Sequence, residues 1–215
     1  MILERERKAV AEFGRRMAAA GLTRGTGGNL SVRDPESDRF ALKPGGMDYG
    51  AIRPEDVPVL TPDGVRVEGD RAPSSEWRMH ALCYARRRDV RAVVHTHSVF
   101  ATTLACLGWE VPPVHYLIAY GGPRIRCAPY RPFGGAELAE AALEALGEDR
   151  AVLLGNHGLL TVGASLPEAF AAAEEVEFVC EVYWRARAVG EPRLLSEEET
   201  REATERIGAY ARRGA

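Results

Sequence analysis

The run Ala92-Val93-Val94-His95-Thr96-His97-Ser98 constrains the fold of this chain more than any other stretch. Its first half is apolar at successive positions, so a strand formed there is buried along its body. Its second half is polar and carries two of the chain's five histidines. In a strand, residues two apart point to the same side. His95 and His97 therefore present two imidazoles on one face, roughly 7 Å apart, with Val93 on the same face and Val94 on the other.

The rest of the chain supplies cover for such a strand. Residues 3 to 20 have helical spacing, with Val10, Phe13, Met17 and Ala20 on one stripe. Strands are expected at Leu30–Arg33, Phe40–Leu42, Ile125–Ala128, Ala151–Leu154 and Gly158–Val162, and a hairpin at Val57–Leu60 and Val65–Val67 around Thr61-Pro62-Asp63-Gly64. Helices are expected from Ser74-Ser75-Glu76 to Arg87, from Ser98 to Leu107, from Gly135 to Leu146 and from Ser165 to Val189, with a last helix opened by Ser196. Residues 112 to 122 have no clear periodicity. Helices interleave with strands, and several strands are joined by short turns. This predicts an α/β domain with a mixed or antiparallel sheet and helices packed on it. With 215 residues and no linker, repeat or low-complexity segment, one domain over 1–215 is expected.

Composition narrows the partners. A net charge of −3 leaves no basic footprint for nucleic acid or an anionic membrane. No apolar run is long enough to span a bilayer, and the acid-bearing N-terminus does not read as a signal peptide. Cys83, Cys106, Cys127 and Cys180 form no CxxC pair and read as small apolar residues in a reducing, cytoplasmic setting.

Imidazole is the commonest metal ligand among side chains, and a catalytic zinc commonly takes three protein ligands with one position open. His157, flanked by glycine in Gly155-Asn156-His157-Gly158 after another apolar strand, is the candidate third ligand. His80 lies inside a helix and reads as a packing or surface residue, and the role of His115 stays open. Two glycine-rich loops, Gly25-Thr26-Gly27-Gly28-Asn29 and Pro44-Gly45-Gly46, join Ser74-Ser75 as sources of backbone N–H groups and hydroxyls suited to an anion. Neither loop has the P-loop or GxGxxG pattern. Glu76 follows the serine pair and would place a carboxylate beside that anion. Lys8 and Lys43 are the chain's lysines, so an amine nucleophile has few candidates.

Seven segments in order carry a family resemblance: GLTRGTGGNLSVR (21–33), KPGGMDY (43–49), PSSEWRMH (73–80), AVVHTHS (92–98), PPVHYLIAYGG (112–122), CAPYRPFG (127–134) and NHGLL (156–160). The chain resembles the class II, metal-dependent aldolases of the aldolase/adducin family, nearest to the branch that cleaves L-fuculose 1-phosphate. The resemblance covers nearly the whole chain. It implies a three-layer α/β/α sandwich around a mixed, largely antiparallel sheet. It also implies a homotetramer with sites at subunit interfaces and one Zn²⁺ per subunit, with another divalent ion as the alternative. Matched residue by residue, His95, His97 and His157 fall on the metal histidines. Glu76 falls on the acid/base glutamate, which can also approach the metal. Gly28, Asn29, Gly46, Ser74 and Ser75 fall on phosphate-binding positions. Tyr116 falls on a tyrosine that reaches a neighbouring subunit's site, and Tyr210 on a tail tyrosine, with Phe133 among residues that would grip the substrate. The implied reaction is reversible cleavage of a ketose 1-phosphate to dihydroxyacetone phosphate and an aldehyde, L-lactaldehyde for the fuculose substrate. Gly45 stands where the fuculose branch has threonine. Thr96 brings the motif closer to the dehydratase branch acting on methylthioribulose 1-phosphate and the 4-epimerase branch acting on ribulose 5-phosphate. The epimerase, however, has aspartate where this chain has Glu76. An adducin-like interaction module, the remaining alternative, has no need of an open metal site.

Overall fold

The computed structural model describes residues 1–213, with side chains through 209. Its elements run α1 (Glu4–Ala19), β1 (Asn29–Arg33), β2 (Phe40–Leu42), β3 (Val59–Leu60), β4 (Arg66–Glu68), α2 (Trp77–Arg86), β5 (Ala92–Thr96), α3 (Val99–Cys106), β6 (Arg126–Ala128), α4 (Ala136–Leu146), β7 (Ala151–Leu154), β8 (Gly158–Gly163), α5 (Leu166–Val189) and α6 (Glu197–Arg213). The strands form one 8-stranded sheet in the order β4-β3-β2-β1-β5-β8-β7-β6. Neighbouring strands are antiparallel except β6 and β7, which run parallel. The sheet is thus mixed and largely antiparallel, as expected.

Helices cover both faces. On one side α2 and α4 bring Met79, Cys83, Tyr84, Leu138 and Ala142 onto Phe40, Val93, Val152 and Leu160. On the other, α1 and α5 bring Val10, Met17, Phe170 and Ala173 onto Leu30, Ala41 and Val94, while α3 and α5 close over Leu153 and Leu159. Val93 and Val94 therefore serve opposite cores, which is why their strand has no polar face along its body. Each is fully buried and contributes about 1.5–3 kcal/mol relative to exposure.

The α/β/α layering fixes where the polar end of β5 points. His95 follows Val93 in pleat and faces the layer of α2 and α4. β1 pairs with β5 so that Asn29 lies opposite His95 and Ser31 opposite Val93. Asn29 and Ser31 therefore also look toward α2.

The structure adds detail where periodicity was silent. Within 112–122 it forms a short 3-10 helix, Tyr116–Tyr120, and two further 3-10 turns precede β3. The serine pair does not cap α2 with a side chain. Glu76 occupies the N-cap position, and the Ser74 hydroxyl accepts from the Glu76 N–H at 3.3 Å. Ser196 does cap α6, with reciprocal bonds between Ser196 and Glu199 of 2.7 and 3.1 Å. No helix of the described residues is long and apolar enough to cross a membrane.

Candidate active site

The end of β5 and the β7–β8 turn bring the histidines together. β7 and β8 pair to Leu154 opposite Gly158, leaving Gly155, Asn156 and His157 as the turn. The His157 N–H donates to the Leu154 carbonyl at 2.9 Å, and Asn156 takes the left-handed conformation (φ 53°) that asparagine tolerates. This swings His157 back over β5. The closeness of the two segments requires a glycine: a β-carbon on Gly158 would lie 2.2 Å from the Thr96 carbonyl oxygen and 3.1 Å from the His97 ring. One nitrogen each of His95, His97 and His157 lie within 4.8 Å of one another. His95 Nε2 is 3.0 Å from His97 Nε2.

The donor set fits a metal ion. His95 Nδ1 donates to the Leu159 carbonyl at 2.9 Å, which fixes the ring so that Nε2 faces the cluster. Burial lowers His97 and His157 to about 4, helped by the charge of neighbouring imidazole, so both are unprotonated near neutral pH. Glu76, at the start of α2, sets Oε2 3.3 Å from His95 Nε2 and Oε1 3.3 Å from His157 Nε2. Its Oε1 is buried with no hydrogen-bond partner. Two unprotonated imidazoles, the Nε2 of a third and an unsatisfied buried carboxylate oxygen converge on one point, the donor set that a divalent cation takes.

Electrostatics holds Glu76 ionised. Burial alone would raise its pKa, but His95, His157 and the Asn29 amide outweigh it and hold the carboxyl well below the usual range. Burial works against a charge on His95 in the same way. The Glu76 carboxylate overcomes that, and the His95 pKa is raised.

A cleft of about 460 Å³ opens in front of this group. Its floor is made of Gly28, Asn29, Gly46, Ser74, Ser75 and Glu76, with His97 and His157 in its wall, while His95 is fully buried behind them. Gly28 has φ 66°, and a β-carbon there would lie 2.7 Å from the His95 carbonyl oxygen. The Asn29 amide donates to Ser74 Oγ at 3.1 Å and to Glu76 Oε2 at 2.9 Å, tying the nest to the carboxylate. Phe133 lines the rim and is 74% exposed. Tyr116 is 54% exposed and lines a separate groove with Leu117, Tyr120 and residues of α6. The side chain of Tyr210 lies outside the described residues.

Some residues of the site escaped sequence reasoning. In sequence Lys43 reads only as a candidate amine nucleophile. It is buried in the cleft, donates to the Thr26 carbonyl at 2.9 Å, and lies 4.6 Å from the centre of the Tyr49 ring. Its position directly before Pro44-Gly45-Gly46 was the available signal. Glu177 of α5 accepts from the N–H groups of Phe100 and Ala101, both at 2.8 Å, and so pins the start of α3 just after His97-Ser98. Nothing in the local sequence marks that contact, which spans more than 70 positions.

The family model described as Class II Aldolase and Adducin N-terminal domain matches residues 8–184. The chain is 46% identical to a Bacillus thuringiensis serovar kurstaki protein named 5-deoxy-D-ribulose 1-phosphate aldolase, over 98% of this chain and 99% of that one. It is 41% identical to a Rhodospirillum rubrum protein named 5-methylthioribulose-1-phosphate/5-deoxyribulose-1-phosphate aldolase, over 95% of this chain and 91% of that one. A solved structure of an L-fuculose 1-phosphate aldolase superposes with a TM-score of 0.93 at 41% identity, covering 95% of this chain and 96% of that one. The chain belongs to the class II aldolase and adducin family. It is an aldehyde-lyase of the metal-dependent aldolase class.

Proposed function

We propose that this protein is a zinc-dependent aldolase that cleaves a deoxyketose 1-phosphate reversibly between C3 and C4. The products are dihydroxyacetone phosphate and a short aldehyde. The observation that carries the reading is the meeting, in one cleft, of three metal-competent histidines, an ionised Glu76 and a nest of glycine N–H groups and serine hydroxyls. 5-Deoxyribulose 1-phosphate, which releases acetaldehyde, is the first substrate to test, supported by the names of the two curated relatives. L-Fuculose 1-phosphate, which releases L-lactaldehyde, is the second, supported by the structural neighbour. The two share the half that the cleft floor would bind and differ in the aldehyde. The exposed Phe133 at the rim offers that half an apolar surface.

The geometry and the family match support one division of labour. Gly28 and Gly46, Asn29, Ser74 and Ser75 bind the phosphate, and Lys43 supplies a positive charge beside them. Anchoring there orients the ketone toward the histidines and directs binding energy to the reacting carbons. His95, His97 and His157 hold the zinc, which when bound supplies Lewis-acid polarisation of the ketone oxygen. Glu76 takes the proton from C3 of dihydroxyacetone phosphate in the condensation direction and returns it to C3 after cleavage. Tyr116 of a neighbouring subunit exchanges a proton with the aldehyde oxygen in a homotetramer.

Elemental analysis together with an assay of released dihydroxyacetone phosphate, before and after chelation, tests the reading. About one zinc per chain and chelator-sensitive cleavage are expected. Metal without cleavage of either substrate would move the chemistry to dehydration or epimerisation, read from the products. Protein without stoichiometric metal would sink the proposal.

A further inference from the structure

Behind Glu76 lies a buried polar ladder of which the reaction described above uses only Asn29. Strand β1 rises about 6–7 Å over two residues and helix α2 about 6 Å over four. Strand positions 29 and 31 therefore keep step with helix positions 76, 80 and 84, and their side chains meet between the layers. The Asn29 amide bonds Glu76 and also contacts His80 Nε2. Ser31 Oγ lies 2.7 Å from His80 Nδ1 and also bonds the Tyr84 hydroxyl.

Donor and acceptor chemistry gives this ladder one direction. A carboxylate only accepts, so the Asn29 group facing Glu76 is its N–H₂. The Asn29 carbonyl oxygen is thereby turned to His80 and needs a donor, which must be Nε2–H. A neutral imidazole has a single N–H, so Nδ1 is bare and accepts from the Ser31 hydroxyl, whose oxygen accepts from Tyr84. Burial lowers the His80 pKa to about 3 and keeps the ring neutral. Asn29, Ser31, His80 and Tyr84 are all buried, so bulk water is not on hand to replace a missing partner.

We propose that His80 is a positioning residue that fixes the Asn29 amide, and through it the Glu76 carboxylate. Without the Nε2–H donor, the amide is free to turn its oxygen toward Glu76, where two acceptors repel. The carboxylate then loses a contact that holds it between His95 and His157. The effect on turnover rests on the reading of Glu76 as the proton carrier. The direction of the ladder does not.

Two measurements on the metal-loaded protein separate these. In protein labelled with ¹⁵N at histidine, NMR of the imidazole nitrogens is expected to show His80 with its proton on Nε2 and Nδ1 bare across neutral pH. A proton on Nδ1, or on both nitrogens, overturns the proposal whatever the enzyme does. His80→Phe is expected to keep its zinc and lose turnover, with kcat down on the order of 10–100-fold and KM within about threefold. His80→Gln, which retains an N–H donor of similar reach, should recover most of kcat. Unchanged kcat in His80→Phe, or equal losses in both variants in step with thermal stability, overturns the positioning role. Wild-type protein that binds zinc but cleaves neither ketose phosphate would defeat the reading of the reaction, and the tautomer would still decide the ladder.

Discussion

At the scale of single residues the site depends on which groups carry charge. Glu76 is held ionised by imidazoles and an amide rather than by an arginine or lysine, so Glu76→Gln removes the charge while leaving the shape. The three histidines stay, and metal analysis of this variant should match wild type. Turnover should fall by about 10²–10⁴, the usual weight of a positioned acid/base. A variant that keeps its turnover would remove Glu76 from the mechanism. Lys43 gives a pH-dependent prediction. Burial lowers its pKa to about 8, with the charge of Asp48 opposing in part. Below that pH it is a cation beside the phosphate, and as pH rises through about 8 the cation is lost. Bound phosphate favours the charged form and shifts the loss upward. KM should therefore rise between neutral and alkaline pH while kcat does not follow it. Lys43→Met should begin with KM raised about tenfold, the scale of a lost charge-assisted bond, and show no such rise. A wild-type KM that is flat from pH 7 to 10 would take Lys43 out of phosphate binding.

At the scale of elements, the site stands where two turns meet the end of a central strand. β5 lies between β1 and β8, so its last residues reach both Asn29 and the His157 turn. Gly158 is the point of closest approach. Gly158→Ala would force its new carbon onto the Thr96 carbonyl oxygen, 2.2 Å away, so the β7–β8 turn must back off. A shift of a few tenths of an ångström spoils ligand geometry before it spoils the sheet. The expected result is zinc affinity reduced on the order of 10–100-fold at a far smaller cost in thermal stability. Affinity equal to wild type would mean that the turn adapts. Much of this level was legible in the sequence. β5 announced itself because its alternating cores left it apolar on both faces and polar at its tip, and α5 because Ser165-Leu166-Pro167-Glu168 has the spacing of a capping box. The 3-10 turn at Tyr116–Tyr120 was not legible, because its aromatic residues have neither a helical nor a strand period. The ladder under Glu76 was hidden for another reason. Asn29, Ser31, His80 and Tyr84 are ordinary polar residues in sequence, and they become a chain only when the sheet register sets strand steps against helix turns.

At the scale of the whole molecule, one residue implied in the chemistry is in the wrong place for a lone chain. Tyr116 does not line the cleft of its own subunit, and it stands exposed against His115, which also packs on the exposed Phe178, while Trp109 and Trp184 are exposed as well. Exposed aromatic residues in such numbers are suited to burial against another copy. In the proposed homotetramer each site takes Glu76 from one subunit and Tyr116 from its neighbour. Two damaged proteins can then repair one another. Tyr116→Phe and Glu76→Gln should each be nearly inactive alone. Co-expressed and assembled at random in equal amounts, they place an intact Glu76 beside an intact Tyr116 in about one quarter of the sites of a cyclic assembly. Cleavage should return to about that fraction of wild type, and light scattering should give four chain masses. If Tyr116 served its own subunit, every mixed site would lack one of the two groups, and co-assembly would restore nothing. Mixing the two variants therefore reads the assembly and the origin of the tyrosine in a single activity measurement, which neither variant alone can do.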